Sequence, residues 1–260
     1  MNSSTIITTY NSSKTIKPVI ENFFKILDHN DELIIVDDGS IDNTKNIIKK
    51  YNDKRLKLFE SNHIGRAKAL NLGVINSSGQ VVFINDSDDF SNKLRIKNSK
   101  YLIEKGYDAV FGKALIFNNF SQESLDNILI KLNNSSDYIN KKQEIYILRD
   151  RHLFKTLSLH HSSLAIRREK LIEIGLYNED LDICIDLDLY YRFLTNKLNV
   201  CVSNKIFIAR HYGDTRFYSS YPKKKYTKNL LKLRKKYRNI LKPPMYTYLY
   251  DLKIFFNSFL

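Results

Sequence analysis

Asp86, Asp88 and Asp89 place three carboxylates within four positions, directly after the apolar run Val81-Val82-Phe83-Ile84. Carboxylates that close repel one another, and beside a core they are costly unless something positive joins them. A divalent cation carrying a phosphate is the simplest partner. The ligand set is oxygen-only, with no Cys or His cluster beside it, which suits Mg²⁺ or Mn²⁺ better than zinc; the bland alternative is a solvated acidic loop. A second acidic pair, Asp37-Asp38, closes the run Leu33–Val36 and leads into Gly39-Ser40. A carboxylate there can accept the ring N–H of a uracil or a ribose hydroxyl, or it can simply cap the helix that follows. With one glycine, this turn lacks what a phosphate-cradling loop needs.

The elements that must position these acids alternate. Ser4–Thr9 is a β-branched run ending in the turn-rich Tyr10-Asn11-Ser12-Ser13, and residues 15–27 carry apolar side chains at helical spacing. Leu33–Val36 predicts a second strand, and Asp42 can cap a helix reaching Tyr51. Leu56–Phe59 is a third strand, Gly65–Ile75 a helix and Val81–Ile84 a fourth strand. Such alternation implies a parallel sheet with right-handed crossovers, whose ligands bind at the carboxyl ends of the strands. Polar clusters stand at three of those ends, Thr8-Thr9-Tyr10, Asp37-Asp38 and Asp86–Asp89, and together they point to a nucleotide.

Beyond Phe90 the expected elements are a helix over Leu94–Leu102, a strand over Asp108–Phe117 broken by Gly112, and a polar, mobile insertion around one weak helix over residues 118–142. A strand over Ser162–Ile166, helices over Arg168–Ile174 and Asp182–Thr195, and a strand over Val200–Arg210 complete the body.

At 260 residues, 43% hydrophobic and 27% charged, the chain can bury a full core. Cys184 and Cys201 have no metal or redox spacing, and neither a secretory signal nor a membrane-spanning run is present, so a cytoplasmic setting is expected. The net charge of +14 is uneven: Lys223–Lys242 holds ten Lys or Arg and no acid. That asymmetry predicts a basic tail on a near-neutral catalytic body.

The order IITTYN, ELIIVDDGSIDNT, GRAKALNLG, VVFINDSDD and HHSSLAIRREKLIEIGLYNEDLDICIDLDLYYRF resembles the family 2 glycosyltransferases over about residues 4–210. The resemblance implies an α/β, GT-A (Rossmann-like) fold, a mostly parallel central sheet flanked by helices, here with a basic helical C-terminal extension. It implies an inverting enzyme that moves a sugar from a nucleotide-diphosphate donor, a UDP-sugar, to an acceptor hydroxyl in surface glycan synthesis. Mn²⁺ or Mg²⁺ would assist.

By position, Thr8 and Tyr10 would line the nucleotide pocket, Asp38 would hold the base and Arg66 would approach the nucleotide. Asp88 and Asp89 match the DxD-type acids, with Asp89 as the direct metal ligand and Asp88 towards the nucleotide or the metal. His211 would complete the metal or diphosphate site, unless it is a structural loop residue. Asp186 aligns with the catalytic base, since Arg192 stands six residues beyond it as in the family. Asp182 and Asp188 are rival acids, and Ile185 replaces the Glu that commonly precedes the base. His160 and His161 sit where the acceptor would approach.

Residues 1–215 form the expected transferase domain, with 1–90 binding the nucleotide and 91–215 the acceptor; residues 216–260 are the basic, aromatic extension. Residues 223–260 either lie on an anionic membrane near a lipid-linked acceptor or pack on the domain. Two rival readings differ in class. A nucleic-acid binder using the tail explains the charge but not the acids at the strand ends, so no nucleic acid is expected. An inactive, transferase-like assembly subunit is the other.

Overall fold

In a computed structural model, which describes residues 1–135, 137–139, 145–155, 159–213 and 222–256, the apolar runs become four neighbouring parallel strands of one sheet, the third of them at its end. These are β1 (Ser3–Thr9), β2 (Glu32–Asp37), β3 (Leu56–Glu60) and β4 (Val81–Asp86). Successive side chains of a strand point to opposite faces. Ile6, Ile34, Val36, Val82 and Ile84 therefore enter one core, and Ile7, Leu33, Ile35, Val81 and Phe83 the other. Burial on both faces explains why β1, β2 and β4 read as continuous apolar runs rather than alternating ones.

Five further strands extend the sheet: β5 (Phe90–Ser91), β6 (Ala109–Phe117), β7 (Ile145–Ile147), β8 (Ala165–Arg167) and β9 (Val200–His211). The order is β3-β2-β1-β4-β8-β6-β9-β5, with β7 also on β9. β8 runs antiparallel to both β4 and β6, while β6 and β9 are parallel. The strands β1, β2, β3, β4, β6 and β9 thus share one direction. Their carboxyl ends line one edge, and β9 brings His211 to the edge that carries Asp37 and Asp86.

Helices cover both faces. On one lie α1 (Ile16–Phe24), α4 (Arg95–Glu104) and α5 (Gln122–Asn134); on the other α3 (Arg66–Ile75) and α8 (Ile185–Thr195), with short α2 (Thr44–Lys49), α6 (Asp150–Phe154) and α7 (Arg168–Glu173) between elements. Helix α1 buries Ile16, Val19, Ile20 and Phe23, the i, i+3, i+4, i+7 stripe of an amphipathic helix. Asp42 does serve the next helix, accepting the backbone N–H of Thr44 at 3.0 Å. Gly112 sits where β6 bulges, and a Cβ there would stand 2.2 Å from the Phe207 ring, so no larger residue fits.

Three expectations need correction. The stretch after β6 is not a loose insertion around a weak helix: α5 is capped by the Ser121 side chain and anchored by buried Leu125, Ile128 and Leu132, although residues 136 and 140–142 lie outside the described residues. The strand expected over Ser162–Ile166 begins only at Ala165, because His161–Ser163 forms a 3-10 turn. The helix expected from Asp182 begins at Ile185, after Cys184 adopts a left-handed conformation at φ 60°.

The tail continues as α9 (Lys223–Leu241) and α10 (Tyr248–Phe256), and the expected boundary between 215 and 216 lies outside the described residues. Leu233 and Tyr237 of α9 are buried in the same core as α8, with the Tyr237 and Tyr191 rings stacked at 4.7 Å. Among the described residues no helix is long and apolar enough to cross a membrane.

At the opposite edge of the sheet, Glu32 accepts hydrogen bonds from Ser4 Oγ and from Ser78 N and Oγ, and pairs with Lys57 at 2.6 Å. Burial pushes its carboxyl up, but Lys57, Ser4 and Ser78 together outweigh burial and hold it at about 2, against 4.5 ordinarily. A depressed carboxylate contributes stability above its unfolded pKa and loses it as pH falls through the folded value. We expect Glu32→Gln to lower stability by about 1–3 kcal/mol at pH 7. The gap from the parent should close between about pH 4.5 and 2, as followed by thermal unfolding across that range.

Candidate active site

Strand β4 delivers its acids to the edge, and each acid meets a different partner. Asp86 is ion-paired with Arg66 from the first turn of α3, whose guanidinium also lies 3.4 Å from His161 Nδ1. Burial would raise the Asp86 carboxyl, but the charge and hydrogen bond of Arg66 and the charge of Arg210 hold it below the usual range. Asp89 is 1% exposed; one oxygen accepts the backbone N–H of His211 at 2.9 Å and the other the Ser162 hydroxyl. Burial and the neighbouring charges of Asp86 and Asp88 push its carboxyl well up. Asp88 is one-third exposed, with Oδ2 3.1 Å from His211 Nδ1.

Beneath the turn lies Arg95, fully buried on α4. It donates to Asn85 Oδ1 at 2.9 Å and to the carbonyls of Ile84 and Leu164 at 2.7 and 3.2 Å. The Asn85 amide in turn donates to the carbonyls of Asp86 and Asp89, both at 2.8 Å, and so closes the acidic turn at its two ends. Burial lowers Arg95 to about 9, opposed by the charges of Asp89 and Asp86.

The nucleotide side sits beside this turn. Thr8, next to last in β1, is in register with Val36 of β2 and Asp86 of β4. Tyr10 is 45% exposed, its ring 4.5 Å from that of His63. Asp38 is buried and accepts from Ser61 Oγ and from the backbone N–H groups of Ile64 and Gly65, at 2.8, 2.7 and 2.9 Å. It therefore shapes the loop that launches α3 and presents Arg66, while Tyr10 and His63 form an open aromatic pair next to it.

On the opposite side, Asp186 stands in the first turn of α8, half-buried, with Oδ1 accepting the Leu187 N–H at 2.8 Å. Its charge reaches His161 and Tyr177. Asp188 is sealed: one oxygen accepts the Tyr237 hydroxyl and the other Arg192 Nε, both at 2.8 Å. Asp182 is exposed. His161 lies 2.8 Å from the Tyr177 hydroxyl, and burial together with Arg66 lowers it to about 4 despite Asp186 and Asp86, so the ring is neutral at pH 7. Because Nδ1 faces a guanidinium donor, Nε2 carries the proton and donates to Tyr177. His160 lies 3.4 Å from Arg210 of β9.

The structure thus brings Asp86, Asp88, Asp89, His211 and Arg66 together, with Thr8, Tyr10 and Asp38 on one flank and Asp186 on the other. Asp89, expected on the metal, has both oxygens engaged inside the protein, whereas Asp88 and His211 face each other at the open edge. Sequence reasoning missed Arg95, Asn85, His63, Arg210 and Tyr177. One signal was readable: Arg95 occupies the buried stripe that continues through Ser99 and Leu102, so a charge stands on an apolar helix face. Among the described residues no group of three or more His, Cys, Asp or Glu side chains is placed to hold a metal ion. The Asp88–His211 pair fits a hard cation only as a two-ligand seat, the remaining positions falling to a diphosphate and water.

Comparison with known proteins follows this geometry. The profile of the glycosyl transferase family 2 matches residues 4–175. The glycosyltransferase GlyG of Streptococcus pneumoniae serotype 4 is 28% identical over 180 residues, covering 68% of this chain and 58% of GlyG. Residues 1–349 of TarS from Staphylococcus aureus, solved with UDP-GlcNAc, superpose with a TM-score of 0.68 at 22% identity, covering 90% of this chain and 65% of that one. The mannosyltransferase PcManGT from Pyrobaculum calidifontis, solved with GDP-Man and Mn²⁺, gives 0.62 at 19% identity, covering 89% and 62%. These likenesses show the fold, the GT-A arrangement. The chain spans 31% to 58% of the length of the curated relatives that match most of it.

Replacing Arg95 by Met should leave Asn85 Oδ1 without its donor, take one donor from each of the Ile84 and Leu164 carbonyls, and leave two acids without the charge below them. We expect a loss of about 3–5 kcal/mol, read by urea unfolding. A variant as stable as the parent would show that Arg95 does not hold the acidic turn.

Proposed function

The chain belongs to glycosyl transferase family 2, and from that premise we propose that it transfers a hexosyl or N-acetylhexosaminyl group from a UDP-sugar to an acceptor hydroxyl, with inversion. The observation that carries the reading is the set of acids at one sheet edge, sorted into those the fold consumes and those it leaves facing outward. TarS, solved with UDP-GlcNAc on the same fold, supports the choice of nucleotide. Surface glycan synthesis from a glycan or lipid-linked acceptor is the setting we assign. The free, buried thiols of Cys184 and Cys201 are consistent with the reducing cytoplasm.

In this reading the uracil stacks on the Tyr10–His63 pair, Thr8 lines the pocket, and Asp38 meets the base edge through the acceptor capacity its loop contacts leave. Arg66, held by Asp86, orients towards the diphosphate. Asp88 and His211 would hold Mn²⁺ or Mg²⁺, which would supply positive charge against the departing nucleoside diphosphate. Asp89 positions His211 by holding its backbone N–H. Asp186 takes the proton of the acceptor hydroxyl as that oxygen attacks the anomeric carbon. Asp188 cannot compete, because Tyr237 and Arg192 occupy it. An in-line displacement needs one carboxylate as base, and Asp186 is that carboxylate.

A screen of sugar nucleotides with and without Mn²⁺, read by thermal shift and then by product anomer, tests the assignment. A UDP-sugar should raise Tm and give inverted product; if no sugar nucleotide does either, the proposal fails. Asp186→Asn should keep the donor-induced rise and lower turnover about 10²–10⁴-fold. Turnover equal to the parent's would remove Asp186 as base. Asp88→Ala and His211→Ala should each abolish the Mn²⁺-dependent part of the rise, whereas Asp89→Ala should lower Tm without any ligand present. If Asp89→Ala alone removed the metal dependence at parental Tm, the metal seat would return to Asp89.

A further inference from the structure

Helix α10 faces the wrong way for a helix on a water-soluble body. Its one acid, Asp251, points inward and is clasped by two buried arginines of α9, Arg234 and Arg238. Its apolar residues point outward. Leu249, Leu252 and Phe256, at i, i+3 and i+7, are 66%, 53% and 63% exposed, and Met245 in the turn before is 84% exposed. An ordinary surface helix buries its apolar stripe and exposes its charges. Of the nineteen large hydrophobic side chains exposed among the described residues, eight lie between Ile240 and Phe256. That density makes a patch rather than scatter.

The exposed charge carried by α9 and α10 is cationic. Lys223, Lys228, Lys232, Lys235 and Lys242 are exposed along and just past α9, and Lys253 stands on α10 itself. Asp251 is the one acid in residues 222–256, and it is turned inward. This combination selects the occupant. A second copy of the chain would bring two sets of lysines together. A nucleic acid would match the lysines and stack on tyrosines, yet Met245, Leu249 and Leu252 offer it nothing. A bilayer with anionic headgroups matches both, taking the apolar stripe at the acyl boundary and the lysines at the phosphates. The segment also lies outside residues 4–175, so the family match does not account for it.

We propose that α9 and α10 form a docking surface for an anionic lipid bilayer, with Leu249, Leu252 and Phe256 entering the interface and the α9 lysines contacting headgroups. The Arg234–Asp251–Arg238 clasp fixes the outward face of α10, and Arg238 also lies 3.9 Å over the Tyr248 ring. The surface is therefore preformed. The inference goes beyond the transferase reading and does not rest on it.

The test is sedimentation of the full chain with phosphatidylcholine vesicles and with vesicles containing phosphatidylglycerol, in low and high salt. Binding should require the anionic lipid and weaken with salt. The pair Leu252→Glu and Phe256→Glu, exposed and hence compatible with folding, should weaken binding by about tenfold or more at parental Tm. Lys232→Glu with Lys235→Glu should weaken it on anionic vesicles alone. Three outcomes would overturn the proposal: equal sedimentation with neutral and anionic vesicles, parental binding by the Leu252/Phe256 variant, or no vesicle binding with self-association that the same variant abolishes.

Discussion

Three carboxylates at the end of one strand cannot be stable by themselves, and most of the site's architecture answers that repulsion. Charges interact far more strongly inside a protein than in water, so proximity without compensation would expel the turn into solvent. The protein separates the acids by partner: a guanidinium for Asp86, an imidazole for Asp88, a hydroxyl and a backbone N–H for Asp89. Arg95 lies below them, buried and held by Asn85 and two carbonyls. A buried arginine is as costly alone as the buried acids are. Here each relieves the other, and the Asn85 amide converts that balance into a fixed turn geometry.

The same compensation assembles distant parts of the chain. Asp89 grips the end of β9, Arg66 ties the start of α3 to β4, and His161 joins Arg66 to Tyr177. A pattern recurs at two acidic positions: one carboxylate is consumed by the fold and its near neighbour is left facing outward. Asp89 is sealed while Asp88 is open; Asp188 is sealed while Asp186 is open. The sealed member fixes the backbone that aims the open one. On the proposed mechanism, a substitution at either member therefore perturbs different observables, stability in the first case and chemistry in the second.

Much of this was legible from residue order. Buried parallel strands are continuous apolar runs, so β1, β2 and β4 and the polar residues at their ends could be placed without coordinates. What could not be read were contacts between segments far apart in sequence. Nothing near Asp89, which the family resemblance names as the direct metal ligand, reveals that its oxygens are engaged by Ser162 and by the His211 backbone. Short elements failed for a different reason. Two- and three-residue strands such as β5 and β7 have no period to detect, and they form because β9 is already there to pair with. Between Asp186 and Asp188 the family resemblance, through the spacing to Arg192, favours the first, and the contacts that bury Asp188 could not be read from the sequence.

The net charge of the chain also changes meaning once the tail is folded. Two of the ten cations over residues 223–242 are not surface charge: Arg234 and Arg238 are buried against Asp251, Thr247 and the carbonyls of Leu153 and Phe154. Both lie over the Phe154 ring, at 5.3 and 4.7 Å. A planar guanidinium can satisfy several acceptors while stacking on an aromatic face, which a lysine ammonium cannot do. The arginines therefore turn in and the lysines turn out. The inward set binds α9 to α6 and α10, and Tyr237, on the same helix, reaches Asp188, two residues from Asp186. The extension and the helix that carries the proposed base are thus one packed unit. Whatever holds the outer face of α9 therefore bears on α8 as well, through the Tyr237–Asp188 hydrogen bond and the Tyr237–Tyr191 stack.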